Sequence, residues 1–577
     1  MRIVFGWNLD RSPWSTSDAG TTVVTGPLGL LGILQTRLGT TRPTVDRSIR
    51  IAQYRSLLAR ADHPWYRRSF ANDPWNTAGH LLQLRDDAIE AGWQPKADGR
   101  DYSIHPRLDA LSAVEKLVAF GSSHDTSSTL VPGRADDLRE VLNLLRLHGP
   151  SWPLGIGSIE LRDKRSDLPC VWQDILNAAE TAGVTIIRTP QQTEIPNLTI
   201  IRGPDEWSTA EAAARYLSHL PNRDRLSIIA GDSTSVLDQQ LSRRQAPIFG
   251  TPSATTTAPS AQVLPVFLSA VLPPTDIRRV ADFLHLSFGS TDSDSPAKKL
   301  VPHAVSSPLL NALAREPGIS GDPASAWMTA LHELKTRALS HPDTATKAWE
   351  AARTLDELLR VTPPQIHDDE LTLISLAPAL DWLTTLLRRL KAHHPTNVEE
   401  AQANEAQATT DPFIAETVTH LDSFRSTLGK LRTETLRTRE LFDIAESCAP
   451  TSVRATATAQ AAEWTVVTEP SAVPVNTDMI VWWASHRSGT SAVETWDPPR
   501  LPPSPTLEPT SPRPPIRNAS DRQQNSADSA QRLAWCASAR TRCVGSNSSS
   551  IRRFLGWPKT SRQPIRIVLP RPLSTRC

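Results

Sequence analysis

The residues with the strongest chemical pattern stand near the start of the chain. Thr21 to Thr25 is short and β-branched, Gly26-Pro27-Leu28-Gly29-Leu30-Leu31-Gly32 follows, and a helical pattern opens at Ile33 and runs to Leu38. Strand, glycine-rich loop and helix in that order are the setting of a phosphate-binding loop, G-x-x-x-x-G-K-[ST]. In such a loop backbone N–H groups hold phosphates, the lysine reaches the terminal phosphates and the hydroxyl holds magnesium. The step from Gly26 to Gly32 is one residue longer than that spacing, and Ile33 and Leu34 stand where the lysine and hydroxyl belong. Neither phosphate charge nor Mg2+ then has a side-chain partner. Two readings stand: a strand-to-helix turn with no ligand, and a vestigial nucleotide loop on Gly26, Gly29 and Gly32. ATP hydrolysis is expected from neither.

Other candidates have less pattern behind them. Cys536 and Cys543 have six residues between them and no second cysteine pair, which does not make a zinc site. His393 and His394 precede Pro395 at a helix end, a place for capping or solvated side chains rather than metal ligands. No G-x-S-x-G elbow occurs and Cys170 has no evident basic partner, so nothing supports nucleophilic catalysis. Trp482 and Trp483 could stack on unpaired bases, yet in a strand one of two neighbouring tryptophans is more simply core. Arg134, Arg139 and Arg146 share one helix and could face phosphates, although a solvated helix face is the default. No catalytic, metal or DNA-contacting residue is assigned.

The elements that would position these residues alternate. Helices are predicted over 45–60, 74–92, 108–120 and 134–147, then a strand over 154–161, a helix over 171–182 and a strand over 184–187. The pattern continues with strand 198–201, helix 208–220, strand 226–230 and helix 235–244. Such alternation argues for parallel sheet covered by helices. Residues 250–262 read as a loop. From about 325 to 447 the chain is almost entirely helical, over 327–339, 347–359, 371–390 and 412–446, with an acidic connector at 397–410. Strands return at 465–467 and 479–483, and periodicity is lost after Trp496.

At 577 residues the chain has room for three or four domains, and with 39% hydrophobic and 21% charged residues it can bury sizeable cores. Its longest strongly apolar run, 263–272, is too short for a bilayer span and contains Pro265. The opening MRIVFGWNLD has no basic region followed by an apolar stretch, and five cysteines fit a reducing compartment. A cytoplasmic protein without membrane contact is expected. The net charge of +1 hides a split: residues 498–577 carry 14 Lys+Arg against 3 Asp+Glu, and the rest carries 48 against 58. Those last residues also hold 13 of the 48 prolines and three of the five cysteines.

Several segments together resemble AddB/RecC-type helicase-nuclease subunits, the group of inactivated superfamily 1 helicases with a PD-(D/E)XK nuclease domain. They are GPLGLLGILQTRLG (26–39), WNTAGHLLQLRDDAIEAGW (75–93), RLDALSAVEKL (107–117), EWSTAEAAARYLSHL (206–220), LSIIAGDSTSVLDQQLSRRQAPIFG (226–250) and DMIVWW (478–483). The resemblance covers roughly residues 1–497. It implies an α/β fold of degenerate RecA-like helicase lobes with a large helical insertion. The implied divisions are a first lobe at 1–190, a second begun at 191–324, a helical insertion at 325–450, a return to the second lobe at 451–497 and a tail at 498–577. The implied role is DNA double-strand-break repair and recombination beside a companion helicase-nuclease subunit, with ATP and Mg2+ as the family's cofactors. This sequence departs from that pattern. EPSAVPVN (469–476), ahead of the DMIVWW strand, contains no His, Lys or Gly where an active helicase has a motor motif. The only loose match to the nuclease's Asp and (Asp/Glu)-x-Lys is Asp322 with Glu333 and Lys335, on or beside the amphipathic stretch 327–339. The expectation is therefore a truncated, catalytically inactive relative that needs no cofactor and serves as a DNA channel or scaffold.

The tail has two explanations. A frameshift near residue 497 in a GC-rich gene would give its Pro, Ser, Arg and Cys bias; Arg outnumbers Lys 52 to 10 over the whole chain. Alternatively it is a genuine disordered basic arm that binds nucleic acid by counterion release. The second explanation supports a different function, a non-enzymatic nucleic-acid- and protein-binding protein.

Overall fold

The structure is a computed structural model that describes residues 1–11, 21–94, 105–118, 129–148, 154–188, 198–220, 225–231, 234–250, 253–254, 259–273, 277–288, 298–300, 336, 364–392, 412–450, 453–454, 459–474, 477–485 and 565–570. The chain begins with a strand, β1 (Arg2–Phe5), which the sequence pattern did not suggest, followed by β2 (Thr22–Thr25) and α1 (Pro27–Leu38). Four helices come next: α2 (Arg47–Ala61), α3 (Pro64–Asn72), α4 (Pro74–Glu90) and α5 (Pro106–Glu115). Then α6 (Arg134–His148), β3 (Ser158–Leu161), α7 (Cys170–Thr181) and β4 (Thr185–Arg188) complete the first sheet. Its order is β2-β1-β3-β4 and every pairing is parallel. Parallel strands need both faces covered, and α1, α6 and α7 supply the apolar partners. Leu30, Leu34, Leu138, Leu142, Trp172 and Ile175 pack with Ile3, Phe5 and Ile159. Trp172 stacks on Phe5 at 5.5 Å between ring centroids.

The second sheet is wound the same way. It contains β5 (Leu198–Gly203) and β6 (Leu226–Ile229), which are separated by α8 (Glu206–Ser218), and α9 (Ser235–Ser242) follows β6. The chain then leaves the sheet for α10 (Pro259–Val271), α11 (Ile277–His285), α12 (Leu373–Ala392), α13 (Pro412–Lys430) and α14 (Thr438–Ser447). It returns as β7 (Thr465–Val467), β8 (Met479–Trp482) and β9 (Ile565–Pro570). The order is β7-β6-β8-β9-β5, again all parallel. Side chains alternate along the strands. Leu226, Ile228, Val481 and Trp483 join the core under α8 and α9, whereas Ile229, Val467 and Ile480 meet Ala472 and Val473 on the opposite face. Six residues of the basic tail thus form an inner strand, although the tail's composition announces none. The apolar stretch Ile565, Ile567, Val568, Leu569 is itself strand-prone.

Several boundaries differ from expectation for physical reasons. The stretch 412–446 is two helices, because β-bridging at Thr435–Arg437 breaks it. The run read as a loop to 262 is helical from Pro259, and Pro265 sits inside α10. Apart from Thr336, predicted helices 327–339 and 347–359, with Asp322, Glu333 and Lys335, lie outside the described residues, as do His393, His394, Cys536 and Cys543. Helices α10–α14 pack into one core with helices of the first part of the chain. They share it with α2 and α4: Phe267, Phe283, Trp382, Phe424 and Ile444 pack in the same cluster as Tyr54, Leu58, Trp75 and Leu82. Phe267 and Trp382 stack at 5.7 Å. Arg55 of α2 pairs with Glu440 of α14 at 2.6 Å.

A buried ionic network ties this helical body to the first sheet. Arg85 of α4 is fully buried and holds Glu115 of α5 at 2.8 and 3.0 Å and Asp136 of α6 at 2.8 and 3.2 Å. It also reaches Asp86 at 2.9 Å, while Arg50 of α2 joins through Asp86 and Asp136. α6 is packed on the first sheet, so these pairs set where the helical body stands relative to β1–β4.

Candidate functional site

At an α/β sheet's topological switch point, ligands bind outside the carboxyl ends of the strands. In the first sheet that point lies at β1, with β2 on one side and β3 on the other. The glycine-rich run lies at this end of the sheet, but it is not a loop. α1 starts at Pro27, six residues earlier than its sequence pattern suggests, with Gly26 as its N-cap in extended conformation (φ −97°, ψ −163°). A proline at the first helical position needs no N–H partner, and Leu30, Leu31 and Leu34 then fall on one buried face. Gly29 and Gly32 are therefore helical residues. Leu34 is core and Ile33 packs against it, so the positions of a lysine and a hydroxyl are filled by apolar side chains.

The N-terminus of α1 already holds an anion, and it is the chain's own. The carboxylate of Asp10 accepts from the backbone N–H of Gly26 at 2.8 Å, of Leu28 at 2.7 Å and of Gly29 at 3.1 Å. The Thr25 hydroxyl donates to the same group at 3.4 Å. Helix-terminal amides and the dipole favour negative charge there, and Asp10 supplies it. A phosphate at this position would have to displace that carboxylate or approach it without a neutralising lysine. Nothing in the sequence pattern singles out Asp10, because it is sixteen residues upstream of Gly26 and belongs to no spacing rule.

The glycines have unequal reasons to be glycine. A Cβ at Gly26 would come within 2.6 Å of Asp10 Cγ, and one at Gly29 would collide with the Thr25 hydroxyl. A Cβ on Gly32 meets nothing. Gly29→Ala should lower the thermal unfolding midpoint by overpacking, at a cost of about 1–3 kcal/mol. Gly32→Ala should raise it, since alanine in a helix interior gains about 0.5–1 kcal/mol over glycine. Equal responses from the two would contradict the Asp10-capped geometry.

Two further residues line the same end. Asp163 accepts from the backbone N–H of Trp7 at 2.6 Å, and Arg162 donates to the carbonyl of Val473 at 3.1 Å. Burial pushes the Asp163 carboxyl above the usual carboxylate range, against the opposing pull of Trp7 N–H and Arg162. Burial likewise lowers the Arg162 guanidinium. Asn8 donates to the Ser471 hydroxyl at 2.7 Å. The turns before β2 and before β8 thus close this end of the first sheet, with the carboxylates of Asp10 and Asp163 and the guanidinium of Arg162 all engaged by the chain itself.

The arginine row of α6 is engaged with acids of α6 itself and of neighbouring elements. Arg139 pairs with Asp136 at 3.0 Å, Arg146 with Asp174 at 2.9 Å, and Arg134 lies 3.9 Å from Glu90. Trp483 is buried under α8 and α9, and Trp482 packs against the small cluster on the other face. Among the described residues no group of three or more His, Cys, Asp or Glu side chains could hold a metal ion, and no helix is long and apolar enough to cross a membrane. Against known proteins, the sequence matches no protein-family model and no curated protein.

Proposed function

We propose that this chain is a non-catalytic relative of AddB/RecC-type helicase-nuclease subunits, serving DNA double-strand-break repair and recombination as a DNA-channel or scaffold element. Its two parallel sheets are, on this reading, degenerate RecA-like lobes, and a companion subunit supplies helicase and nuclease chemistry. The observation that supports the non-catalytic part is the Asp10 carboxylate seated on the amides of Gly26, Leu28 and Gly29. An anion-occupied helix N-terminus with Ile33 and Leu34 behind it has no means of holding a nucleotide's terminal phosphates. The DNA part rests on the resemblance of the six segments.

The test is fluorescence anisotropy of a labelled duplex with a single-stranded end, titrated with the full chain at 50–200 mM salt, with and without ATP. Expected are binding that weakens with salt, no effect of ATP and no phosphate release. Phosphate release that Gly29→Ala abolishes would overturn the non-catalytic reading, and absence of DNA binding at 50 mM salt would overturn the DNA role. Neutralising Arg513, Arg517 and Arg522 with glutamine separates the alternative. Phosphate contacts contribute roughly 0.9 each to the log–log salt slope, so a slope that falls by about that much per arginine would assign binding to the tail.

A further inference from the structure

The turn that carries Asp10 is also the turn that touches the second sheet. Within six residues, Trp7 N–H is fixed to Asp163, Asn8 reaches Ser471, and Asp10 caps α1. The 3-10 turn Leu9–Arg11 rests against the 3-10 turn Pro470–Ala472. Ala472 and Val473 of that second turn are buried against Ile229, Val467 and Ile480 of the second sheet. Arg162 adds the bond to the Val473 carbonyl from the end of β3. We propose that residues 6–11 form a two-ended latch, in which the seating of Asp10 on the α1 amides fixes Asn8 and so holds the second lobe's Pro470–Val473 turn against the first. Anything that lifts Asp10 from α1 then loosens the contact between lobes, which makes Asp10 an internal occupant that keeps the two lobes docked.

The geometry supports this over two independent contacts. The four donors around Asp10 satisfy both carboxylate oxygens, so the turn cannot shift without breaking all of them. Leu9, one residue before Asp10, is itself buried, and its side chain lies within contact range of Gly6. Leu9 N–H donates to Gly6 O at 3.1 Å, closing a turn over residues 6–9 that contains Asn8 and runs directly into the 3-10 turn Leu9–Arg11 that carries Asp10. A displacement at one end is therefore transmitted to the other.

Hydrogen exchange on the full chain, read by mass spectrometry, tests the latch. Asp10→Ala should accelerate exchange in two segments, 25–31 and 465–473, by about five- to thirtyfold, the population change that loss of one or two kcal/mol produces. Asn8→Ala should accelerate 465–473 alone. Asp10→Asn keeps one acceptor oxygen and should give a smaller change with the same two-segment pattern. β3 and α7 report whether the first lobe has simply unfolded; if they exchange faster in Asp10→Ala, the Asp10→Asn pattern decides. Acceleration of 25–31 with 465–473 at the wild-type rate, in whichever of the two variants is decisive, would overturn the proposal.

Discussion

Replacing Arg85 with methionine is expected to destabilise the fold by about 3–5 kcal/mol, the range seen when one partner of a buried ion pair is removed. The guanidinium has five N–H groups, and all five are used. Nε and one Nη2 hydrogen go to Glu115, the other Nη2 hydrogen and one Nη1 hydrogen to Asp136, and the last to Asp86. Methionine fills much of the same volume, so the loss is of charge and donors rather than of packing. Lysine should not rescue it, because one ammonium cannot serve three carboxylates held in a fork geometry. The pH dependence separates this from a cavity effect. Burial pushes the Asp136 carboxyl upward, but Arg85 and its hydrogen bonds win and hold it below its usual value. In the wild type, that stabilisation is present above the unfolded carboxylate pKa of about 3.9 and is lost only as pH falls through the lower folded value. Without Arg85, burial is the largest effect on the Asp136 carboxyl and raises it, so the variant gains stability as pH drops from 7 toward 5 while the wild type does not. Urea unfolding at several pH values measures the difference between the two. A gap that stays constant with pH would mean the network is held by packing, not charge.

The same network shows why part of the molecule was legible in the sequence and part was not. Periodicity depends on near neighbours, and where burial follows from near neighbours the reading succeeds. Leu226 to Ile229 is a fully buried strand, and of the two neighbouring tryptophans, one of which was expected in the core, Trp483 is buried. Gly92 ends α4 with a positive φ of 96°, as glycine does after a helix. Asp10, by contrast, acts on amides that are 16 to 19 residues away, and Arg85 acts on residues 30 and 51 away. No local pattern encodes those distances. Three glycines at three-residue spacing looked like a loop because glycine is a loop residue on average. Pro27 at the first helical position and leucines at 30, 31 and 34 were the stronger signal for helix. The α6 arginines were ambiguous for the same reason: their acids sit on α4, α5 and α7 as well as on α6 itself. β1 was missed because four residues at a chain start carry too short a pattern, and their burial comes from strands and a helix as much as 170 residues away.

Ile567→Pro should strip exchange protection from one edge of the second sheet while leaving the first sheet untouched. β9 lies between β8 and β5, with Ile567 opposite Trp482 on one side and Ile200 on the other. Among the described residues, β5 pairs with the rest of its sheet only through β9. Proline has no ladder N–H and is essentially confined to edge strands and bulges, so at the centre of an inner strand it breaks two ladders at once. The amides of residues 199–202 then lose their strand partner, and their exchange should rise on the order of 100-fold as opening becomes local rather than global. Among the described residues, β1–β4 form a separate sheet and serve as the internal reference. The outcome also tests the explanation of the tail as a wholly disordered basic arm. A basic arm free to bind nucleic acid along its whole length has no strand to lose, and the variant would leave residues 199–202 as they were. A tail whose residues 565–570 complete the second sheet makes that stretch part of the fold, and residues 498–564 and 571–577 remain for any contact with nucleic acid. Matching rates in wild type and variant would remove β9 from the sheet and return the whole tail to the question of reading frame.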